Sequence, residues 1–190
     1  MAMNKKIFFA VLAVGILVVV GLLAVLANNG AVGKNQAVDE NLSQIKNRLK
    51  TRMDTLPPIL AQVDSYKVYE SSLLTNITEL RSAWMNAFNN NGSIPQLSNI
   101  SSHLDQNLTF IVLTYEQYPE LKADNLIKDY MGEVVSQNEQ LAYWRGQYNG
   151  AVRDYNTFIL SFPNNVFLGS GYSTRPYWGN ELPDGQTLNS

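Results

Sequence analysis

Six carboxylates, Glu116, Glu120, Asp124, Asp129, Glu133 and Glu139, crowd one stretch of the chain. Carboxylates at this density can build a two-metal site in a helical bundle, but such a site also needs Glu-x-x-His on two helices. His103 is the single histidine, and no Glu stands three residues before it. Glu116 and Glu120 share a helical face, yet Pro119 lies between them. The carboxylates therefore read as a solvated acidic face, and no metal or other cofactor is expected. Other chemistry is excluded by residue type. The absence of cysteine removes disulfides, thiolate zinc sites, iron–sulfur clusters and a cysteine nucleophile. One histidine cannot make H-E-x-x-H, and no G-x-S-x-G elbow occurs. Gly169-Ser170-Gly171 does not join a strand to a helix, so it is not a phosphate loop. His103, beside Ser101, Ser102 and Asp105, reads as a surface or groove residue. A net charge of −2 argues against nucleic acid held by bulk charge. No reaction is expected of this chain.

The informative polar residues are those that interrupt apolar seams. Val38, Leu42, Ile45, Leu49, Leu56, Ile59, Val63, Tyr66, Leu73, Ile77, Leu80, Trp84 and Ala87 step by fours and threes, a heptad seam broken only by Arg52 and Glu70. Pro57-Pro58 lies inside it, so the helix must kink or restart there. The heptad phase survives the prolines, which favours a kink over a turn. A second seam runs through Ile127, Met131, Val134, Asn138, Leu141, Arg145, Tyr148, Val152, Tyr155 and Ile159. Asn138 and Arg145 are its polar members. A buried Arg needs a carboxylate or several carbonyls to offset its desolvation, and such residues commonly set register. Tyr148, Asn149, Tyr155 and Asn156 continue this band. They either satisfy one another inside the bundle or form a polar docking surface for another subunit.

These seams define the elements. Asn89 to Pro95 is a breaker cluster. A helix is expected from about Ser98 to Tyr118, with Ile100, Leu104, Leu108, Ile111 and Tyr115 on one face, and another from about Ala123 to Leu160. No strand pattern appears. The class is all-α: an antiparallel bundle over 38–161 of three long helices, or four if the chain reverses at Pro57. Residues 162–190 read as an irregular, partly docked tail containing aromatics.

Ahead of the bundle, residues 7–27 are 21 consecutive uncharged, mostly apolar residues. As a helix they rise about 31 Å, enough to cross a bilayer. The run is longer than a cleaved signal core, so an uncleaved single-pass anchor is expected after a short basic tail over 1–6. Asn28 to Lys34 reads as the start of a polar linker over 28–37. Lys5 and Lys6 favour the N-terminus inside and the bundle outside; Lys46, Arg48, Lys50 and Arg52 pull weakly the other way. That basic stretch could meet lipid headgroups, although its residues do not form one stripe. Residues 34–54 carry five cations against three anions, and 55–190 seven against thirteen. An anionic leaflet would thus repel the distal part.

Arg52-Met53-Asp54-Thr55-Leu56-Pro57-Pro58-Ile59-Leu60 is similar to the R-x-D-L-I-P-N-L-V segment of the LemA family. Tyr118-Pro119-Glu120-Leu121-Lys122-Ala123, the run Arg145 to Asn156 and Phe162-Pro163 resemble the same family in order and spacing. Thr55 and Pro58 depart from its usual Leu and Asn. The resemblance spans about residues 7–178. It implies a helical bundle on a membrane anchor and no established reaction, and it suggests the opposite orientation, with the N-terminus outside. Arg81 and Glu139 also match recurrent positions of the pattern. Counting helix rise places them level on parallel helices, as a register-setting ion pair. The functional expectation is a membrane-anchored scaffold or adaptor acting through protein partners or self-association, with no nucleic acid. A lipid-binding or membrane-remodelling bundle, using the basic stretch and Phe167, Tyr172, Tyr177 and Trp178, is the alternative, and a tethered enzyme stands behind both.

Overall fold

The computed structural model describes residues 5–65 and 71–179, without the side chains of a few residues near 59–71 and of residue 120. Every long element is helical: α1 Lys5–Ser65, α2 Ser71–Asn89, α3 Ile94–Tyr115, α4 Pro119–Ala123, α5 Asn125–Leu160 and α6 Asn164–Leu168, closed by a 3-10 turn at Gly169–Gly171. No strand occurs among the described residues. The chain forms two compact units. The first comprises Met1–Asp39 and Ala151–Arg175, the second Glu40–Gly150 and Pro176–Ser190.

In the second unit the seams are the core. Ile45, Leu49, Leu56, Ile77, Trp84, Leu104, Leu108, Ile127 and Leu141 are all buried. Segments of α1, α2, α3 and α5 alternate in direction. α1 does not reverse at Pro57 but runs through both prolines to Ser65. Beyond it α2 is antiparallel to α1, because Arg81 reaches the Met53 carbonyl. On one straight helix those residues would stand about 42 Å apart. The uninterrupted seam of the sequence is therefore two helices, and the bundle takes its four-helix form. The chain turns later than Pro57, and Tyr66 and Glu70 lie outside the described residues.

Local chemistry sets the remaining ends. Asn91 adopts φ 53° and Gly92 N–H donates to the Ala87 carbonyl at 2.7 Å, a Schellman closure of α2 with Asn in the left-handed position. Ser93 caps α3, which begins earlier than expected because Pro95 fits a first helical turn. Tyr118 and Pro119 open the short α4. Asp124 Oδ1 accepts from the Leu126 and Ile127 amides and so starts α5.

In the first unit α1 passes straight through residues 28–37, so the expected linker is helix. Its buried residues there are Ala27, Ala31 and Val38, and Val152, Tyr155 and Ile159 of α5 are buried in the same unit. The Phe158 ring lies over Gly30, and a Cβ at that position would force the ring to shift. Lys34 stands 5.6 Å from the centre of the same ring. The large apolar side chains between Ile7 and Leu26 are exposed.

Candidate functional site

Two polar constellations stand out, one around residues that break the seams and one along the Tyr-Asn band that continues them. In the second unit, Arg52 of α1 is 2% exposed. Its Nη1 donates to Asp105 Oδ1 on α3. The other carboxylate oxygen accepts from Arg145 Nη1 of α5 at 2.7 Å. Arg145 Nη2 also donates to Ser101 Oγ at 2.5 Å, one helical turn before Asp105. One carboxylate thus ties three helices through two guanidinium groups. Arg52 Nε and Nη2 and Arg145 Nε are buried without a partner among the described residues. With two cations and one anion, the cluster is over-cationic. Burial pushes the Arg52 guanidinium below its ordinary value; Asp105 pulls the other way, and Arg145 adds to the lowering.

Beside this cluster Arg81 Nε donates to the Met53 carbonyl at 2.7 Å. Met53 is four residues before Pro57, whose ring nitrogen has no hydrogen to give. Arg81 therefore satisfies the carbonyl that Pro57 leaves open. This corrects the expected Arg81–Glu139 pair: Glu139 is exposed, and among the described residues no ion pair joins the two. Asp54 is also exposed and pairs locally with Lys50 at 2.7 Å. Asn138 keeps its seam position, with a buried Oδ1 that has no partner among the described residues.

The second constellation is a repeated Tyr-Asn clamp on α5. In the second unit the Tyr148 hydroxyl donates to the Pro176 carbonyl at 2.8 Å. Asn149 forks onto Trp178, donating to its carbonyl at 3.1 Å and accepting from its amide at 2.8 Å. In the first unit Tyr155 donates to the Ser173 carbonyl at 3.1 Å. Asn156 forks onto Arg175 in the same way, at 2.9 and 2.7 Å. Each pair reads a carbonyl and then the backbone two residues on. The two pairs stand seven residues apart in the sequence and the backbone they hold three residues apart. Arg175 also pairs with Asp39 of α1, and Tyr172 donates to Asn28 Oδ1 at 2.8 Å. The band expected to serve another subunit or itself thus holds the chain's own tail. Trp178 is 4% exposed and packs edge-on against Tyr148, so it is not a free membrane-surface aromatic.

The residues that sequence reasoning missed are Asp105 and Ser101. Arg145 at a seam position demanded a carboxylate, but nothing along the chain said which one. His103 is exposed and lines an open groove of about 380 Å³ between α2 and α3, with Glu79, Asn76 and Asn107. No group of three or more metal-binding side chains gathers among the described residues.

The model of the LemA family matches residues 41–185, which include the three-helix cluster and both clamps. The chain belongs to the LemA family. A curated relative, Protein LemA of Metamycoplasma hominis, is 28% identical over 123 residues. That match covers 65% of this chain and 55% of the relative, so the likeness spans about half of the relative's length. In this LemA-family chain the R-x-D-x-x-P and Tyr-Asn segments correspond to physical devices: a shared carboxylate, a proline-freed carbonyl with its donor, and a tail clamp. Glu70 lies outside the described residues.

Proposed function

We propose that this LemA-family protein is a single-pass membrane-anchored helical scaffold that acts through protein–protein contacts and performs no reaction of its own. The observation that carries the reading is the continuity of α1, whose exposed apolar run leads without a break into helix packed on other helices. Within the first unit the run continues into helix whose Ala31 and Val38 are buried, as an anchored platform for partners requires. Arg52, Asp105, Arg145 and the Tyr-Asn pairs are engaged in holding helices and tail together. Exposed Phe110 and Leu113, one turn apart on α3, offer an apolar contact for a partner or a second copy. Lys5 and Lys6 support a cell-membrane topology with the N-terminus inside and the bundle extracytoplasmic.

Photocrosslinking from Phe110 and Leu113 in native membranes tests the scaffold reading. Discrete adducts with a partner or a second copy are expected, and are lost when Phe110 and Leu113 are changed to Ser. Uniform background labelling from both positions would count against it. Labelling of single introduced cysteines by a membrane-impermeant reagent on intact cells tests the topology.

A further inference from the structure

The first unit carries an uncovered apolar surface at a defined level of α1. Phe158 lies over Gly30, and Asn156 meets Arg175, which pairs with Asp39. α5 therefore runs antiparallel to α1 here, and beyond Phe158 it heads toward lower α1 numbers. Tyr172, returning from the excursion, reaches Asn28. The chain between Phe158 and Tyr172 thus sits beside the last turn of the apolar run, which ends at Ala27. On this excursion Leu160 is 63% exposed, Phe162 82% and Val166 66%. From Tyr155 to Thr174 there is no charged residue. Three large exposed apolar side chains on an uncharged excursion mark an interaction site.

We propose that Leu160, Phe162 and Val166, on the turn from α5 into α6, form a lipid-contact patch seated at the headgroup–acyl boundary of the bilayer crossed by residues 7–27. The inference rests on the anchored reading of α1 and adds a second contact with the membrane. The occupant is lipid because of level and chemistry. The patch lies where a 21-residue span ends, and interfacial segments bury apolar side chains about 5–10 Å into that boundary. The absence of charge on the excursion suits a layer where desolvating a charge is costly. The Asn and Ser side chains between the apolar residues suit its polar side. This assigns lipid contact to different residues from the basic stretch 46–52 and the tail aromatics that the sequence suggested.

The protein has no cysteine, so single-cysteine variants of the full chain each report one position. Phe162→Cys, Val166→Cys, Val19→Cys and Arg153→Cys, labelled with an environment-sensitive fluorophore, are reconstituted in phosphatidylcholine–phosphatidylglycerol vesicles. Quenchers are attached to lipid at shallow or deep positions, or supplied in water as iodide. Probes at 162 and 166 are expected to emit blue-shifted, to be quenched by the shallow lipid quencher and to be shielded from iodide. The probe at 153 should do the reverse, and that at 19 should answer to the deep quencher. Iodide access at 162 and 166 with 19 still in lipid would overturn the patch and leave the anchor standing. Iodide access at 19 would overturn the anchor and the patch with it. Shielding of 162 and 166 from both quenchers would mean that protein covers the surface, which also overturns the inference.

Discussion

A single aspartate with two arginines shows how much depends on one side chain. Asp105 accepts from Arg52 and Arg145, and only Arg52 is fully buried. Asp105→Asn leaves two cations facing each other with no counter-charge, a change that typically costs about 3–5 kcal/mol when burial is complete. Here partial exposure of Asp105 brings the expected loss to about 3 kcal/mol. Arg52→Met removes the surplus cation and its unpartnered nitrogens while filling similar volume, so it should change stability by less than about 1 kcal/mol. Denaturant unfolding of the full chain in detergent measures both, and equal losses would contradict the shared-carboxylate account. Tyr155 supplies a pH test. Burial raises its hydroxyl above the ordinary 10.0, more than neighbouring Arg175 lowers it. The folded state then holds this proton more tightly than the unfolded one. The contribution is fully present below pH 10.0 and is lost as pH rises through the folded value. Thermal melts between about pH 9 and 11 should fall more steeply for wild type than for Tyr155→Phe. Matching slopes would show that this hydroxyl is not responsible.

At the scale of elements, prolines and glycines decide less than their reputation suggests. Pro57 and Pro58 sit inside α1 without ending it, and part of the reason is Arg81. A proline removes one hydrogen bond and leaves the carbonyl four residues back without its donor. A charged donor from α2 restores the bond, and hydrogen bonds to charged groups are worth about 1.5–3 kcal/mol. Arg81→Met should therefore cost about 2 kcal/mol in wild type. It should cost distinctly less in a Pro57→Ala background, where the restored backbone amide can serve the Met53 carbonyl. A coupling within about 0.5 kcal/mol of zero in that double-mutant cycle would reject the link. Gly30 and Gly33 looked like a linker by composition, yet both are helical. The Phe158 ring occupies the space beside Gly30, so that glycine serves helix packing and not chain flexibility.

For the whole molecule, the informative contrast lies along α1. Its apolar side chains from Ile7 to Leu26 are exposed, whereas Ala27, Ala31, Val38, Ile45 and Leu49 are buried. A helix that presents uncharged apolar residues all round over a length that can cross a bilayer, and then becomes amphipathic, is a candidate membrane anchor. The expected result is that mature protein keeps residues 1–27 and stays with membranes after alkaline carbonate extraction. Edman sequencing and mass measurement of membrane-purified protein check this, and a mature terminus at Asn28 would refute it.

Composition and period alone determined the all-helical class, the 21-residue apolar run and most core positions, though not Ala31, Met53, Leu97, Leu121 or Trp178. Those properties follow from side-chain spacing on a helix, which is local information. The requirement that Arg145 find a carboxylate was legible as well, because desolvating a guanidinium carries the same cost in any bundle. The choice of Asp105 was not, since that carboxylate belongs to another helix 40 residues away. The place of reversal was hidden because α1 and α2 keep one heptad phase across it. A phase records which face is apolar and not whether the axis has turned back. The partner of the Tyr-Asn pairs was hidden for a related reason. Side-chain amides bound to backbone accept almost any residue, so the tail they hold leaves no pattern in the sequence. Only the folded chain brings Asn149 to Trp178 and Asn156 to Arg175.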